Sequence, residues 1–231
     1  MVDLDQQGSM TKAAGFRLDR NAPHIGDLLT DTEGKVTWEQ TILTGTNEHL
    51  HLIPSTMTLV RHEMYLNSER GTDHRLADLL SKHATGYDYI FLDCPPNTGI
   101  MTFRALAAAD YYIVPMQGET FAYDGLDSTR NIVNLVKRNV NTKLQLAGVV
   151  LNKYEGNTIL GRTILEVMTN QKDLRIFSTR IRKDVNLAEA QNERESIFDR
   201  DPKSRGAIDM KSLADELGRI IEEDHQLITN A

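Results

Sequence analysis

The sequence predicts an α/β protein whose largely parallel β-sheet is covered by helices on both faces. Two observations support this fold class. Apolar runs of strand length alternate with amphipathic segments of helical length, and no repeat, low-complexity tract or linker interrupts the alternation. A chain of 231 residues suits one core of this kind. We therefore expect a single three-layer domain over residues 1–231.

The predicted strands and helices follow one another along the chain. Short apolar runs predict strands at residues 50–54, 89–92, 111–115, 144–151 and 175–178. Amphipathic segments predict helices at residues 57–68, 75–83, 102–108, 125–140, 159–169 and 208–223. Ligands of such sheets bind beyond the carboxyl ends of the strands. The loops that follow the strands are therefore the place to look for a functional site.

Composition and charge are those of a soluble globular protein, with 40% apolar and 26% charged residues. No apolar run approaches the roughly 18 residues of a membrane span, and no leader-like segment opens the chain. The single cysteine, Cys94, excludes an internal disulfide, and the seven histidines show no metal-ligand spacing. Because the net charge is −7, contact with nucleic acid would need a local basic patch. We expect a cytoplasmic protein that does not bind membranes.

Two strand-like segments end in aspartate. Asp3 and Asp5 follow the first apolar residues, and Asp93 ends the run at residues 89–92. A carboxylate at the end of a buried strand needs a positive partner, which in nucleotide-binding α/β proteins is commonly Mg²⁺ beside the β- and γ-phosphates. Composition and spacing alone leave an alternative, in which the strands are followed by ordinary polar turns and Asp5 is a capping or turn residue.

The loop after Asp93 has a restricted backbone. Pro95 and Pro96 fix the chain as it leaves the predicted strand, and Gly99 permits a turn before the next helix. A stiff loop at this position is suited to sensing whether a γ-phosphate is present.

Five blocks of sequence resemble the ParA/Soj family of partition ATPases in the MinD/ParA superfamily. DLDQQG at residues 3–8 is similar to the family's DLDPQGNxT switch, with Gln6 in place of the proline and Thr11 at the threonine position. DCPPNTGIMT at residues 93–102 is similar to the DxPPxxGxLT segment of the Walker B aspartate and second switch. The other three blocks are residues 105–126, with ALAAAD, VPMQGE and FAYDGL, then GVVLN at 148–152, and the closing signatures LAEA at 187–190 and SRGA at 204–207. The resemblance covers nearly the whole chain.

The resemblance implies a fold of the P-loop NTPase type that uses ATP and Mg²⁺. It assigns catalysis to Asp5, which would position the attacking water, and it assigns Mg²⁺ binding through water to Asp93. It places Asn152 at the adenine edge, for which a side-chain amide has suitable donors and an acceptor, while a strand-end turn residue is the structural alternative. Gly8 and Pro95, in the two switch segments, are expected to contact the nucleotide.

The family's phosphate-binding loop, KGGxGKT, is absent from these 231 residues. Gly34-Lys35 has neither a glycine-rich lead nor a following Ser or Thr. We expect the chain to begin at the family's second strand, with the first strand, phosphate loop and first helix lost by truncation; a degenerate relative is the alternative. The missing strand would lie in the middle of the sheet, so its loss would expose two strand edges. The chain as given is expected to be inactive.

The resemblance also implies partners. ParA-like proteins form a nucleotide-sandwich homodimer that binds DNA without sequence preference, and a ParB-like protein stimulates hydrolysis, so a nucleoid-associated protein is expected. The residues predicted to contact DNA, Arg180, Arg182, Lys183 and Arg205, concentrate positive charge near the carboxyl-terminal end. Solvated surface charge is the alternative, and Asn186 stands where the family often has a basic residue.

Related families fit less well. The nitrogenase iron protein needs two cluster cysteines per subunit, and amidotransferase relatives carry an added domain with a catalytic cysteine. MinD ends in a basic amphipathic helix, whereas residues 220–225 here are largely acidic. We therefore expect a partition ATPase, with a non-catalytic ParA-like binding or regulatory protein as the alternative. Retention of Asp5, Asp93 and Asn152 favours the ATPase.

Overall fold

A computed structural model describes residues 1–19, 21–45, 47–117, 122–169 and 174–229. The chain divides into two compact units, one formed by Met1–Asp110 with Thr129–Leu144 and the other by Tyr111–Ser128 with Gln145–Ala231. Each unit contains a pair of parallel strands together with helices, which confirms the α/β class. A single domain over residues 1–231 stays a prediction.

The first unit is built around a short parallel pairing. Its elements are β1 (Val2–Asp3), α1 (Ser9–Ala13), α2 (Ile25–Thr30), α3 (Trp38–Thr41), β2 (Leu43–Thr44), β3 (His51–Leu52), α4 (Leu59–Ser68), α5 (Arg75–His83), β4 (Leu92–Asp93) and α6 (Ile100–Ala108). β1 pairs in parallel with β4, with Val2 opposite Leu92 and Asp3 opposite Asp93. Val2 also forms a parallel bridge to Ile53, so β1 lies between two parallel neighbours.

Apolar faces of the helices close a core in this unit. α4 buries Leu59 and Leu66, two turns apart, and α5 buries Leu76 and Leu80, one turn apart. The same cluster includes Val2, Leu4, Ile25, Leu29, Trp38, Met101 and Ala105. Trp38 is the only tryptophan of the chain. Its fluorescence therefore reports on the folding of the first unit.

A buried histidine begins helix α2. The Nδ1 of His24 accepts a hydrogen bond from the Gly26 N–H at 3.0 Å, and the Asp27 carboxylate accepts one from the His24 N–H at 2.9 Å. Because Nδ1 is an acceptor, neutral His24 carries its proton on Nε2, which lies 2.5 Å from the Thr58 hydroxyl. His24, Asp27 and His62 place possible metal ligands within 4.8 Å of one another. Metal binding at Nε2 would require the His24 proton to move to Nδ1, and Nδ1 could then no longer accept the hydrogen bond from the Gly26 N–H that caps α2. The cluster is therefore better explained as a structural one.

The stability of the first unit is expected to fall as the pH drops through the histidine range. Burial lowers the pKa of His24 below its ordinary value of 6.5, while the charge of Asp27 opposes the shift and that of His62 adds to it. Since the folded-state pKa is below the unfolded one, the stabilisation is fully present above pH 6.5 and is lost as the pH falls through the folded-state pKa. Urea titrations followed by Trp38 fluorescence test this. His24→Asn keeps a capping acceptor without a titrating ring, so the free energy of unfolding should depend less steeply on pH. An equally steep dependence would show that His24 is not the group responsible.

The second unit has longer strands. Its elements are β5 (Tyr111–Gln117), the first part of α7 (Ala122–Asn139), β6 (Gln145–Asn152), α8 (Ile159–Thr169), α9 (Val185–Glu193), α10 (Ile197–Arg200) and α11 (Arg205–Thr229). β5 and β6 pair in parallel and end with Gln117 opposite Asn152. Val149 of β6 forms a parallel bridge to Ile176, so the strand predicted at residues 175–178 contributes one bridge.

Helix α11 packs an apolar face onto this sheet. The packed residues are Met210, Leu213, Leu217 and Ile220 of α11 and Ala147, Val150, Phe177 and Ile181 beneath them. Two ion pairs tie the helix to the same layer: Arg175 with Asp224 at 3.0 Å, and Arg182 with Asp209 at 2.7 Å. Among the described residues, no helix has the length and apolar character that crossing a bilayer demands.

Candidate functional site

Three carboxylates gather at the carboxyl ends of β1 and β4. The parallel register puts Asp3 opposite Asp93, and Asp5 follows two residues after Asp3. Desolvation, followed by the charges of Asp3 and Asp5, raises the pKa of Asp93 to about 6. Like charges at such a site destabilise one another unless a cation neutralises them. Since Mg²⁺ prefers carboxylate oxygens and water as ligands, the two carboxylates that solvent reaches, Asp5 and Asp93, fit a magnesium ion.

The two aspartates of the DLD segment have different environments. Asp3 is fully buried, and its carboxylate accepts hydrogen bonds from the Asp5 N–H at 3.1 Å, the Thr11 N–H at 2.8 Å and the Thr11 hydroxyl at 2.7 Å. Asp5 is half-buried, and its Oδ1 accepts a hydrogen bond from the Gln7 N–H at 2.9 Å. Asp5 therefore keeps a carboxylate that water can reach, whereas the carboxylate of Asp3 is engaged within the protein.

The turn that carries Asp5 closes at Gly8. The Gly8 N–H donates to the Asp5 carbonyl oxygen at 2.8 Å, and Gly8 has a φ of +58°, in the left-handed region. A Cβ at this position would lie 2.7 Å from the Ser55 carbonyl oxygen. Glycine is therefore favoured both by the backbone conformation and by the close approach of a neighbouring segment. The expected contact of Gly8 with nucleotide stays a prediction.

Gly8→Ala is expected to lower the free energy of unfolding of the first unit by about 2–4 kcal/mol. The substitution places an alanine in the left-handed region of backbone conformation and brings its Cβ into collision with the Ser55 carbonyl oxygen. Gly34→Ala is the matched control, because Gly34 has a φ of +71° but no atom within 4 Å of the added Cβ. It should cost about 1–2 kcal/mol. Urea denaturation followed by Trp38 fluorescence measures both. Equal losses of unfolding free energy in the two variants would show that the approach of the added Cβ to the Ser55 carbonyl has no cost.

The loop after β4 contains a half-buried thiol and then an exposed turn. Burial, followed by the charge of Asp93, raises the pKa of the Cys94 thiol to about 12, so this cysteine is a neutral thiol and no nucleophile. Pro95 is half-buried. Beyond it, the Asn97 Oδ1 accepts a hydrogen bond from the Gly99 N–H at 2.8 Å. This side chain shapes the turn that leads into α6.

Asn152 ends β6 in the second unit. Its Oδ1 accepts a hydrogen bond from the N–H of Lys153 at 2.9 Å, and Lys153 has a φ of +51°. This bond orients the amide, and its Nδ2 makes no hydrogen bond within the described part of the chain. The guanidinium of Arg180 lies over the ring of Tyr154, 5.5 Å from its centroid. Tyr154 also packs against the apolar cluster of the second unit, and no sequence pattern singled it out.

Two of the four basic residues predicted to contact DNA are paired with carboxylates. Arg182 forms a two-point pair with Asp209, at 2.9 and 2.7 Å, and Lys183 pairs with Glu155 at 3.1 Å. Arg205 is exposed at the first residue of α11. Much of the charge of the paired residues is neutralised within the protein, so Arg205 is better placed to contact an external phosphate.

The predicted site residues fall in both units. Asp5, Gly8, Asp93 and Pro95 belong to the first unit, and Asn152 belongs to the second together with the four basic residues. Gly118, Glu119 and Phe121, in the VPMQGE and FAYDGL matches, lie outside the described residues. The sequence pattern missed Thr11 as a contact of the DLD segment, although its place in the switch motif was a usable signal.

Comparisons with known proteins identify the family. The family model described as an AAA domain matches residues 1–146. The sporulation initiation inhibitor protein Soj of Bacillus subtilis is 34% identical over 94% of this chain and 85% of its own length. The chromosome partitioning protein ParA of Myxococcus xanthus is 30% identical over 94% of this chain and 76% of its own length. The chain belongs to the ParA/Soj family of ATPases, within the MinD/ParA superfamily.

A solved structure shares the fold of this ParA/Soj chain. It is cobyrinic acid a,c-diamide synthase of Mycobacterium smegmatis with bound ADP and magnesium, which matches with a TM-score of 0.80 at 28% identity. The aligned region covers 96% of this chain and 81% of the synthase chain. The α/β fold of the P-loop NTPase type, predicted from the sequence, is thereby confirmed. The match of Asp5 to the family's first switch segment and of Asp93 to its Walker B aspartate stays a prediction from the sequence.

Proposed function

We propose that this ParA/Soj protein is a partition ATPase that binds ATP with Mg²⁺, dimerises, binds DNA without sequence preference and is stimulated by a ParB-like partner. The M. xanthus relative is named as a chromosome partitioning protein, which supports the role in partition. The observation that carries the proposal is the pair of accessible carboxylates, Asp5 and Asp93, at the adjoining ends of β1 and β4.

Each polar residue has a separate task in this proposal. Bound Mg²⁺-ATP supplies the γ-phosphoryl group and places positive charge beside it. Asp93 would hold the ion through water, a role that suits an exposed carboxylate at a site rich in negative charge. Asp5 accepts a hydrogen bond from the attacking water and orients it. Asn152 donates to the adenine from its Nδ2.

ATP binding and DNA-stimulated hydrolysis test the proposal. They are measured on the chain and on a longer version that carries the family's KGGxGKT segment in frame upstream. Turnover is expected only from the longer version, because that loop stabilises the phosphates and the charge of the transition state. If the longer version binds ATP without hydrolysing it, the ATPase role is wrong and a non-catalytic binding or regulatory role replaces it.

Non-specific DNA binding is proposed to use the exposed basic residues of the second unit. Arg205→Ala is expected to weaken binding to duplex DNA of any sequence about threefold to tenfold and to reduce the salt slope by about one. Arg70→Ala, which removes an exposed arginine of the first unit, is the control with unchanged affinity. Fluorescence anisotropy of labelled DNA at several salt concentrations, with the ATP-bound longer version, measures both. An unchanged affinity in Arg205→Ala would remove this residue from the interface.

A further inference from the structure

Asp3 and Thr11 hold the two ends of the turn that carries Asp5. The carboxylate of Asp3 accepts the Asp5 N–H at 3.1 Å at one end, and the N–H and hydroxyl of Thr11 at 2.8 and 2.7 Å at the other. Asp3 is 0% exposed and Thr11 is 3% exposed. These three donors occupy three of the about four lone-pair sites of the carboxylate, and burial keeps solvent from the remaining one. Asp3 is therefore not available as a second ligand or base.

Ser55 supplies a further anchor, 44 residues from Thr11 along the chain. Its N–H donates to the hydroxyl oxygen of Thr11 at 3.1 Å. Its carbonyl lies against Gly8, at the position where an added Cβ would approach to 2.7 Å. The hydroxyl of Thr11 thus donates to Asp3 and accepts from the backbone of Ser55. One side chain joins β1, the turn and the segment after β3.

Helix α1 is too weak to hold the turn by itself. It has five residues, and the residue before its first turn, Gly8, has no side chain to cap it. Helices of this length are unstable in isolation. The Asp5 side chain accepts a hydrogen bond from the Gln7 N–H, a donor within the same turn. The position of the Asp5 carboxylate therefore depends on the anchors at Asp3 and Thr11.

We propose that Asp3 and Thr11 are positioning residues that fix Asp5 for activation of the attacking water. The inference rests on the ATPase function proposed above, and it gives the buried aspartate of the DLD segment a task different from that of the accessible one. A displacement of about 1 Å at a reacting group costs on the order of 100-fold in rate. A loosened turn therefore lowers turnover and leaves ATP binding intact.

Thr11→Val removes the hydroxyl at nearly constant volume, and Thr11→Ser restores it. In the longer version, Thr11→Val is expected to lower kcat about 10- to 100-fold with the ATP dissociation constant within about twofold, and Thr11→Ser should recover most of the turnover. Thr41→Val is the matched control, because Thr41 is a buried threonine of α3 in the same unit whose hydroxyl donates to the Thr37 carbonyl at 2.9 Å. It should keep the wild-type kcat even if it loses as much stability as Thr11→Val.

Hydrogen exchange on the 231-residue chain supplies a readout that needs no turnover. Thr11→Val is expected to speed amide exchange of residues 3–11 by about tenfold, and Thr41→Val is not. Unchanged exchange or unchanged kcat in Thr11→Val would overturn the positioning role and leave the ATPase function standing. An inert wild type of the longer version would overturn the proposed function, and the positioning role with it.

Discussion

Asp5→Asn is expected to lower kcat for ATP hydrolysis about 10²- to 10⁴-fold while the ATP dissociation constant stays nearly unchanged. Asparagine keeps the size of the side chain and one carbonyl oxygen, so the hydrogen bond from the Gln7 N–H can persist. The negative charge that would orient the attacking water is lost. Steady-state hydrolysis by the longer version measures kcat, and titration with a fluorescent ATP analogue measures affinity.

Two further variants separate catalysis from folding. Asp78→Asn changes an exposed carboxylate in the first turn of α5 and is expected to leave kcat unchanged. Asp3→Asn replaces one carboxylate oxygen by an amide NH2 group, which cannot accept the hydrogen bonds that Thr11 donates. It should therefore lower the free energy of unfolding as well as kcat. If Asp5→Asn retained more than about a tenth of the wild-type kcat, Asp5 would not be the residue that activates water.

The acidic strand ends could be predicted from the sequence, but their separate environments could not. The apolar run at residues 89–92 ends at Asp93, and the register of β1 with β4 brings that residue beside the DLD segment. Whether Asp3 or Asp5 is buried depends on contacts with Thr11 and, through it, with Ser55, which lies 44 residues away from Thr11. No local pattern encodes such a contact.

Long amphipathic helices were predictable because their apolar residues repeat over several turns. The predicted segments at residues 125–140 and 208–223 correspond to α7 and α11. α3 and α10 have four residues each, too few for a period to show, and their starts are set by the capping side chains of Thr37 and Ser196. The capping box of Thr37 with Gln40 is a sequence signature that could have located α3.

Charge patterning predicted the basic cluster but not its ion pairs. Arg182 and Asp209 are 27 residues apart, and Lys183 and Glu155 are 28 residues apart. Packing of α11 on the sheet brings Asp209 to Arg182, and this packing follows from the apolar face of the helix. The positive charge counted from the sequence is therefore an upper limit for the charge that DNA would meet.

Arg104 on α6 is the residue where the largest effect on stability is expected. It is 0% exposed, and its Nε and Nη2 donate to the carbonyl oxygens of Thr72 and Leu66, each at 3.1 Å, while Nη2 also donates to the Thr72 hydroxyl. Burial lowers the pKa of the guanidinium, and the charge of Asp73 opposes this shift. Nη1 has no hydrogen-bond partner among the described residues. Arg104 thus joins α6 to the turn between α4 and α5 at a considerable desolvation cost.

Arg104→Ala is expected to lower the free energy of unfolding of the first unit by about 3–5 kcal/mol, because it opens a cavity and leaves the Thr72 carbonyl without its donor. Arg104→Met fills most of the space without donors and should recover about 1–2 kcal/mol of this loss. Arg70→Ala, at an exposed position of the same turn, should stay within about 0.5 kcal/mol of the wild type. Urea denaturation followed by Trp38 fluorescence measures all three. If Arg104→Met matched the wild type, the hydrogen bonds of Arg104 would only offset the cost of burying its charge, and the residue would serve a purpose other than stability.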